Sequence, residues 1–166
     1  KKGEGGEAVE LLTRALTNEP DQYECRFNLA RILNALNAFD RALPHARSCV
    51  SVNPQHAEAW FELGNALVQT GHHTEGIAAY DDALRLLPDH VAARSSKGLA
   101  LLENGDLAAA VEELQAAIRL DIAYGTAHFN LALASPSDDA GGQLELVQAA
   151  LAGKPLGREQ EMHLRF

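Results

Sequence analysis

The sequence has little cysteine, few aromatic residues and no long apolar segment. Its 166 residues include two cysteines, Cys25 and Cys49, which are too few for a disulfide framework and not spaced as a metal-ligand pair. No apolar run approaches the roughly 20 residues that span a bilayer. The opening residues, KKGEGGE, have no apolar segment after the lysines and do not resemble a signal peptide as they stand. These features predict a cytoplasmic protein with reduced thiols and no membrane partner.

Basic residues are also scarce. Lysine and arginine number 14 against 23 aspartates and glutamates, for a formal net charge of -9. Nucleic acids and anionic membranes need a basic face, so this balance argues against both as partners. Solubility is the simplest reason for an acidic surface. The alternative is that the acidity attracts a neutral or basic protein or peptide.

Motifs for catalysis and cofactor binding are missing from the sequence. It contains no G-x-S-x-G, H-E-x-x-H or phosphate-loop pattern. His72 and His73 are adjacent, but a metal site would need further ligands from elsewhere, so packing is the expected role. The acidic pair Glu112 and Glu113 is interpreted as solvated surface. The sequence therefore predicts a non-catalytic chain without a metal or cofactor.

A pattern of 34 residues recurs along the chain and is best formed in Ala57–His90. Its apolar and small residues follow helical spacing in two successive segments. These are Trp60, Leu63 and Leu67 in the first segment, and Gly76, Tyr80, Ala83 and Leu87 in the second. Pro20, Pro54 and Pro88 are 34 residues apart, and each should end a helix pair because proline lacks an N–H. The pattern resembles the tetratricopeptide repeat (TPR), a helix–turn–helix unit.

This resemblance implies an all-α fold, a right-handed superhelix (α-solenoid) of stacked antiparallel helix pairs with a concave inner surface. On this register the chain is a single domain. It comprises a half repeat (1–22), three full repeats (23–56, 57–90 and 91–124), a degenerate repeat (125–155) with its second helix near 143–152, and a truncated helix (156–166). The interrupted repeats leave apolar stacking surface, which favours self-association through the exposed end helices.

Some residues depart from the family pattern when each full repeat is numbered from 1 to 34. Arg26 stands at position 4, where the family prefers an aromatic residue, and Lys97 stands at the apolar position 7. The first helix of the third repeat should therefore pack less well. Asp106 is a predicted N-cap. Asp40 is expected to cap a late-starting helix, which would put Pro44 about one turn inside it, where its missing N–H costs little.

In the TPR family, the first helix of each pair lines the concave groove through positions 2, 5, 6, 9, 12 and 13. The resemblance implies these peptide-binding residues: Phe27, Asn28, Arg31, Phe61, Glu62, Asn65, Gln69, Phe129 and Asn130. Phenylalanine rings would supply apolar contact, and asparagine amides can both donate to and accept from a peptide backbone. The alternative is that the rings pack between helices and the amides are merely solvated.

The expected function is a protein–protein interaction scaffold that binds an extended peptide or protein segment in the groove. A clamp for a C-terminal carboxylate, as in some family members, is disfavoured because Arg31 is the only cation among the inward positions. A second hypothesis makes this chain the non-catalytic part of a larger enzyme. The residues from His128 to Phe166 resemble the junction in bacterial TPR–sulfotransferase fusions.

Overall fold

The computed structural model describes residues 2–19 and 21–134, and within these ranges the chain forms helices and no strand. The helices are α1 (Lys2–Asn18), α2 (Tyr23–Ala35), α3 (Phe39–Val52), α4 (Ala57–Gln69), α5 (His73–Leu86), α6 (Val91–Glu103), α7 (Leu107–Leu120) and α8 (Gly125–Ala134). The predicted all-α class is confirmed. The helices predicted near 143–152 and over 156–166 lie outside the described residues. None of the described helices is long and apolar enough to cross a membrane.

The chain divides into two compact units, Lys1–Pro88 and Asp89–Phe166. In the first unit, α2 packs on α3, α4 packs on α5, and α2 also lies beside α4. Its core is made of leucine and alanine from successive helices, including Leu29 and Leu33 on α2 and Leu63 and Leu67 on α4. In the second unit, α7 packs on α6 and α8, and Leu114, Ile118 and Leu131 are among its core residues.

In the second and third full repeats, close packing within the helix pair depends on a glycine in the first helix. A Cβ built on Gly64 would lie 2.5 Å from Cε1 of Tyr80. The equivalent Gly98 would meet Cγ of Leu114 at 2.6 Å. Because no real Cβ approaches so closely, these glycines allow a large side chain of the second helix to lie against the backbone of the first.

The turn inside each full repeat uses a left-handed residue at position 15. Gly71 has φ 84°, Gly105 has φ 88°, and Asn37, the equivalent residue of the first full repeat, has φ 57°. Glycine and asparagine tolerate this region at the lowest steric cost. The three equivalent residues therefore end the first helix of each pair in the same way.

The helix starts confirm one predicted cap and correct another. Asp106 accepts from the backbone N–H of Ala109 at 3.2 Å, as its predicted N-cap role requires. The helix containing Pro44 begins at Phe39, two residues before the expected late start, with Ala38 as its N-cap and no side-chain cap, so Pro44 lies inside the helix. The predicted Asp40 cap was wrong. Asp40 lies in the first turn of α3, where a carboxylate still interacts favourably with the helix dipole.

The third full repeat contains an ion-pair cluster that the sequence interpretation missed. Glu113 on α7 accepts from Lys97 Nζ at 2.6 Å and from Arg94 Nη1 at 2.9 Å. The three side chains are only 16–25% exposed. The interpretation of Glu113 as solvated surface was therefore wrong. Lys97 fits its apolar position because its ammonium group reaches a carboxylate on the partner helix.

Candidate functional site

The helices α2 and α4 lie side by side in the first unit and carry most of the predicted groove residues. Arg31 and Gln69 are exposed on these helices. Four more side chains are half-buried, namely Phe27, Asn28, Phe61 and Asn65. We call these six residues the α2/α4 face. It combines two apolar rings with amide groups and one guanidinium, so it can offer both apolar contact and hydrogen bonds.

Phe27 belongs to an aromatic cluster at the N-terminal ends of α2 and α4. Its ring is nearly parallel to that of Tyr23, with centroids 6.5 Å apart, and lies 4.7 Å from the ring of His56. The hydroxyl of Tyr23 is hydrogen-bonded to Nδ1 of His56 at 2.6 Å, which joins α2 to the residue that precedes α4. Burial raises the pKa of Tyr23 to about 12, with smaller contributions from Cys49 and Glu24. The phenol is therefore neutral at physiological pH.

Glu62 lies inside the helix packing and not on the surface. It is 8% exposed, and Asn34, also 8% exposed, donates from Nδ2 to its Oε2 at 2.7 Å and to its backbone oxygen at 2.9 Å. Burial raises the pKa of Glu62, although hydrogen bonds from Asn34 and Asn65 and the charge of Arg31 act in the opposite direction. This placement argues against direct contact between Glu62 and a ligand.

Asn65 is oriented by contacts within the protein. The hydroxyl of Tyr80 on α5 donates to its Oδ1 at 2.8 Å. A second hydrogen bond joins its side chain to the carboxyl group of Glu62. The ring of Tyr80 lies 6.0 Å from that of Phe61, the other aromatic residue of the face. Tyr80 on α5 therefore contacts two residues of the α2/α4 face, Phe61 and Asn65.

In the second unit, the predicted residues Phe129 and Asn130 differ in exposure. Phe129 is 61% exposed on α8. Asn130 is 3% exposed, and its Nδ2 lies 3.5 Å from the hydroxyl oxygen of Ser95 on α6. The amide of Asn130 therefore lies between helices and is not placed to contact a ligand on the surface.

Two of the three predicted residues at position 6 have a structural role that the groove prediction missed. Glu62 contacts Asn34 on α2, and Asn130 contacts Ser95 on α6, so each meets the first helix of the preceding repeat. Asn28 is the remaining predicted residue at this position, and it accepts from Arg31 at 3.2 Å in a half-buried location. Of the three asparagines predicted to bind the peptide, Asn130 is therefore buried, whereas Asn28 and Asn65 are half-buried.

Tyr23 and His56 join Phe27 in one aromatic cluster, and sequence reasoning did not assign either of them to the candidate site. The available signal was positional: Tyr23 stands one turn before Phe27, and His56 ends the same repeat.

In the loop between α4 and α5, Nδ1 of His72 lies 3.1 Å from the hydroxyl of Thr70. No group of three or more histidine, cysteine or acidic side chains that could hold a metal ion occurs within residues 2–19 and 21–134.

Models of the tetratricopeptide repeat match most of the chain. One matches residues 35–91, 61–125 and 95–156 in overlapping segments, and a second matches residues 1–44. Similarity to the FlbA protein of Caulobacter vibrioides is 34% identity over 60% of this chain. The peroxisomal targeting signal receptor of Candida glabrata is 30% identical over 68% of it. The chain spans only 17% and 18% of the lengths of these two proteins.

Solved structures show the same fold. MamA from Desulfovibrio magneticus RS-1 gives a TM-score of 0.76 at 20% identity, covering 98% of this chain and 88% of that one. A thermophilic TPR protein of Thermus thermophilus gives 0.71 at 22% identity, with the same two coverages of 98% and 88%. The predicted α-solenoid is confirmed, whereas the resemblance to sulfotransferase fusions gains no support. The chain belongs to the tetratricopeptide repeat family.

Proposed function

We propose that this chain is a non-catalytic interaction module that binds an extended peptide or protein segment on its α2/α4 face. The observation that carries the proposal is the composition of that face: Phe27 and Phe61 lie among the polar groups of Asn28, Asn65 and Gln69. An extended peptide presents alternating side chains and a backbone with regularly spaced donors and acceptors. Rings for the side chains and amides for the backbone suit such a ligand.

Burial divides the residues predicted to bind the peptide into contacting and supporting groups. Phe27, Asn28, Arg31, Phe61, Asn65 and Gln69 have accessible surface and form the proposed contact set. Glu62 is buried and stabilises that set through hydrogen bonds with Asn34 and Asn65. Phe129, in the second unit, is proposed as a separate apolar contact because it is 61% exposed.

The chemistry of the partner follows from charge. The chain carries a formal net charge of -9, and long-range attraction therefore favours a neutral or basic segment over an acidic one. The Candida glabrata relative is named as a receptor for a targeting signal. That name is consistent with recognition of a polypeptide segment. A reducing, cytoplasmic location is part of the proposal, because Cys25 and Cys49 are free thiols.

An array of immobilised nonapeptides with basic, neutral and acidic composition tests the proposal. We expect the chain to bind neutral and basic peptides, and we expect Phe61→Ala/Gln69→Ala to weaken binding by at least about tenfold, as loss of an aromatic contact in an interface does. The matched control is Val52→Ala/Gln55→Ala, which removes an exposed apolar side chain and a glutamine elsewhere in the first unit.

Unfolding curves and helical circular dichroism should show that the Phe61/Gln69 variant stays folded. Equal binding by this variant and the wild type would contradict the assignment of the face. Equal loss in the Val52/Gln55 control would mean that binding is non-specific.

We also propose that copies of the chain associate through α1. Leu11 on α1 is 57% exposed and Leu36, at the end of α2, is 40% exposed. Sedimentation velocity over a range of concentrations tests this. Leu11→Ser should lower the average mass at high concentration, and a wild type that sediments as a monomer throughout would contradict the proposal.

A further inference from the structure

The aromatic cluster of Tyr23, Phe27 and His56 includes two rings, those of Tyr23 and His56, that lie outside the proposed peptide-contact set. Two acidic residues flank it. Glu24 is close enough to influence the phenol of Tyr23, and Oε2 of Glu58 lies 4.0 Å from Nε2 of His56. Both carboxylates are exposed, and neither pairs with a lysine or arginine in the described part of the chain. Two exposed carboxylates thus lie near the aromatic rings.

We propose that this cluster is a subsite for a lysine or arginine side chain of the bound segment. The electron-rich face of an aromatic ring attracts a cation, and arginine stacks on such rings especially well. The carboxylates of Glu24 and Glu58 would pair with the same charge. The inference rests on the proposed function, since it names the residue type that a peptide on the α2/α4 face would place at the N-terminal end of α2.

Two features of the cluster keep its rings in place. The hydrogen bond between Tyr23 and His56 fixes both rings, and Phe27 lies beside them at ring distances of 6.5 Å and 4.7 Å. Each of the three side chains remains half-buried, so each retains exposed surface. A ligand cation would therefore meet rings whose orientation is already set, which reduces the entropy lost on binding.

The positive ends of two helix dipoles oppose a cation here, because α2 and α4 both begin at this cluster. Glu24 and Glu58 lie in the first turns of these helices and offset that effect. The alternative role for these two acids is stabilisation of the helix ends alone. Binding and stability measurements separate the two roles, since a dipole effect changes the melting temperature without changing affinity for a cation.

Nuclear magnetic resonance titration of the chain with N-acetyl-arginine amide tests the subsite without any knowledge of the natural partner. N-acetyl-citrulline amide is the probe for comparison, because citrulline has a similar shape without the charge. We expect saturable shifts in the resonances of Tyr23, Phe27 and His56 with the arginine probe and much smaller shifts with citrulline. Equal shifts with both probes, or none with either, would overturn the proposal.

Variants assign the effect to the named residues. Tyr23→Leu should raise the dissociation constant for the arginine probe about two- to fivefold, the value of one exposed cation–π contact. The double variant Glu24→Gln/Glu58→Gln should raise the dissociation constant for the arginine probe more than Tyr23→Leu does. The control variant Glu7→Gln/Glu10→Gln removes the same charge from exposed positions on α1 and should leave that dissociation constant unchanged. An unchanged dissociation constant in the Glu24/Glu58 variant, with a lower melting temperature, would show that these acids serve only the helix ends.

The two proposals can fail separately. If no peptide binds the array but the arginine probe shifts the cluster, the function proposed for the α2/α4 face fails and the cation subsite stands. If peptides bind without preference for lysine or arginine, and the probe causes no shift, the subsite fails and the interaction module stands.

Discussion

Asn34 on α2 donates from a single amide nitrogen to two oxygens of Glu62 on α4, the carboxylate Oε2 at 2.7 Å and the backbone carbonyl at 2.9 Å. The other end of this amide, Oδ1 of Asn34, is buried without a hydrogen-bond partner. The carboxylate of Glu62 accepts hydrogen bonds and cannot donate one to that oxygen. The packing of α2 beside α4 therefore depends on whether Glu62 is protonated.

Glu62→Gln should make the protein more stable at pH 7. Burial raises the pKa of Glu62 above its ordinary value of 4.5. The stability linked to this group is therefore fully present below that pH and is lost as the pH rises through the folded-state pKa. Glutamine stays neutral at every pH and avoids this loss, so the difference between variant and wild type should grow from near zero at pH 4.

Urea unfolding from pH 4 to 7 measures this effect. The matched control is Glu10→Gln on α1, an exposed glutamate whose replacement should shift stability little across the same range. A Glu62→Gln variant that is less stable than wild type at pH 7 would show that the charged hydrogen bonds outweigh the cost of burying the charge.

Gly64→Ala should destabilise the first unit. The added methyl group would lie 2.5 Å from the ring of Tyr80, whose hydroxyl is held by Asn65, so the ring cannot move freely. We expect a loss of about 1–3 kcal/mol in the free energy of unfolding, typical of overpacking. Gly6→Ala is the control on α1, where the new methyl group meets nothing within 4 Å. It should stabilise the helix by up to about 1 kcal/mol, and a similar loss in both variants would refute the steric argument.

The repeat period made much of the fold predictable. A left-handed residue at position 15 is a local requirement, so Gly71 and Gly105 indicate their roles in the sequence itself. Asp106 was also predictable, because a cap involves only neighbouring backbone groups. Ala38 at the start of α3 shows where this reasoning ends, since packing of α3 on its neighbours can fix a helix start without any side-chain cap.

The candidate site was less predictable because its side chains depend on neighbouring repeats. Position 6 follows the groove pattern of the family, yet Glu62 and Asn130 contact the preceding first helix. No spacing within a single repeat reveals whether Asn34 or Ser95 will face them. Glu113 posed a different problem, since its two cations lie on α6 of the same repeat, and the two helices had to be placed side by side before its burial could be recognised.

Glu113→Ala should cost about 1–3 kcal/mol, because it leaves two largely buried cations, Arg94 and Lys97, without this carboxylate. The equivalent positions of the preceding repeat hold Trp60, Leu63 and Ala79. The triple substitution Arg94→Trp, Lys97→Leu and Glu113→Ala transfers that apolar set. It should recover stability to within about 1 kcal/mol of wild type, as replacement of buried ion pairs by packed apolar residues often does. Thermal unfolding of both variants measures this, and a triple variant no better than Glu113→Ala would contradict the comparison between repeats.

The two cysteines should differ sharply in reactivity towards an aromatic disulfide reagent at pH 8. Cys49 is 0% exposed, and burial raises the pKa of its thiol to about 11, so it is protonated and inaccessible. Cys25 is partly exposed, although its thiol donates to Oε1 of Gln22 at 2.8 Å. The native protein should release one equivalent of the coloured thiol promptly and a second only in urea.

Cys25→Ser should abolish the fast phase, and labelling of Cys49 at the same rate as Cys25 would contradict its buried position.

The raised pKa of Cys49 also has a consequence for stability at high pH. The stability linked to the neutral Cys49 thiol is present below pH 9.0, the ordinary value, and is lost as the pH rises towards 11, because the unfolded chain ionises first. Cys49→Ala lacks this group and should lose stability less steeply than wild type over that interval.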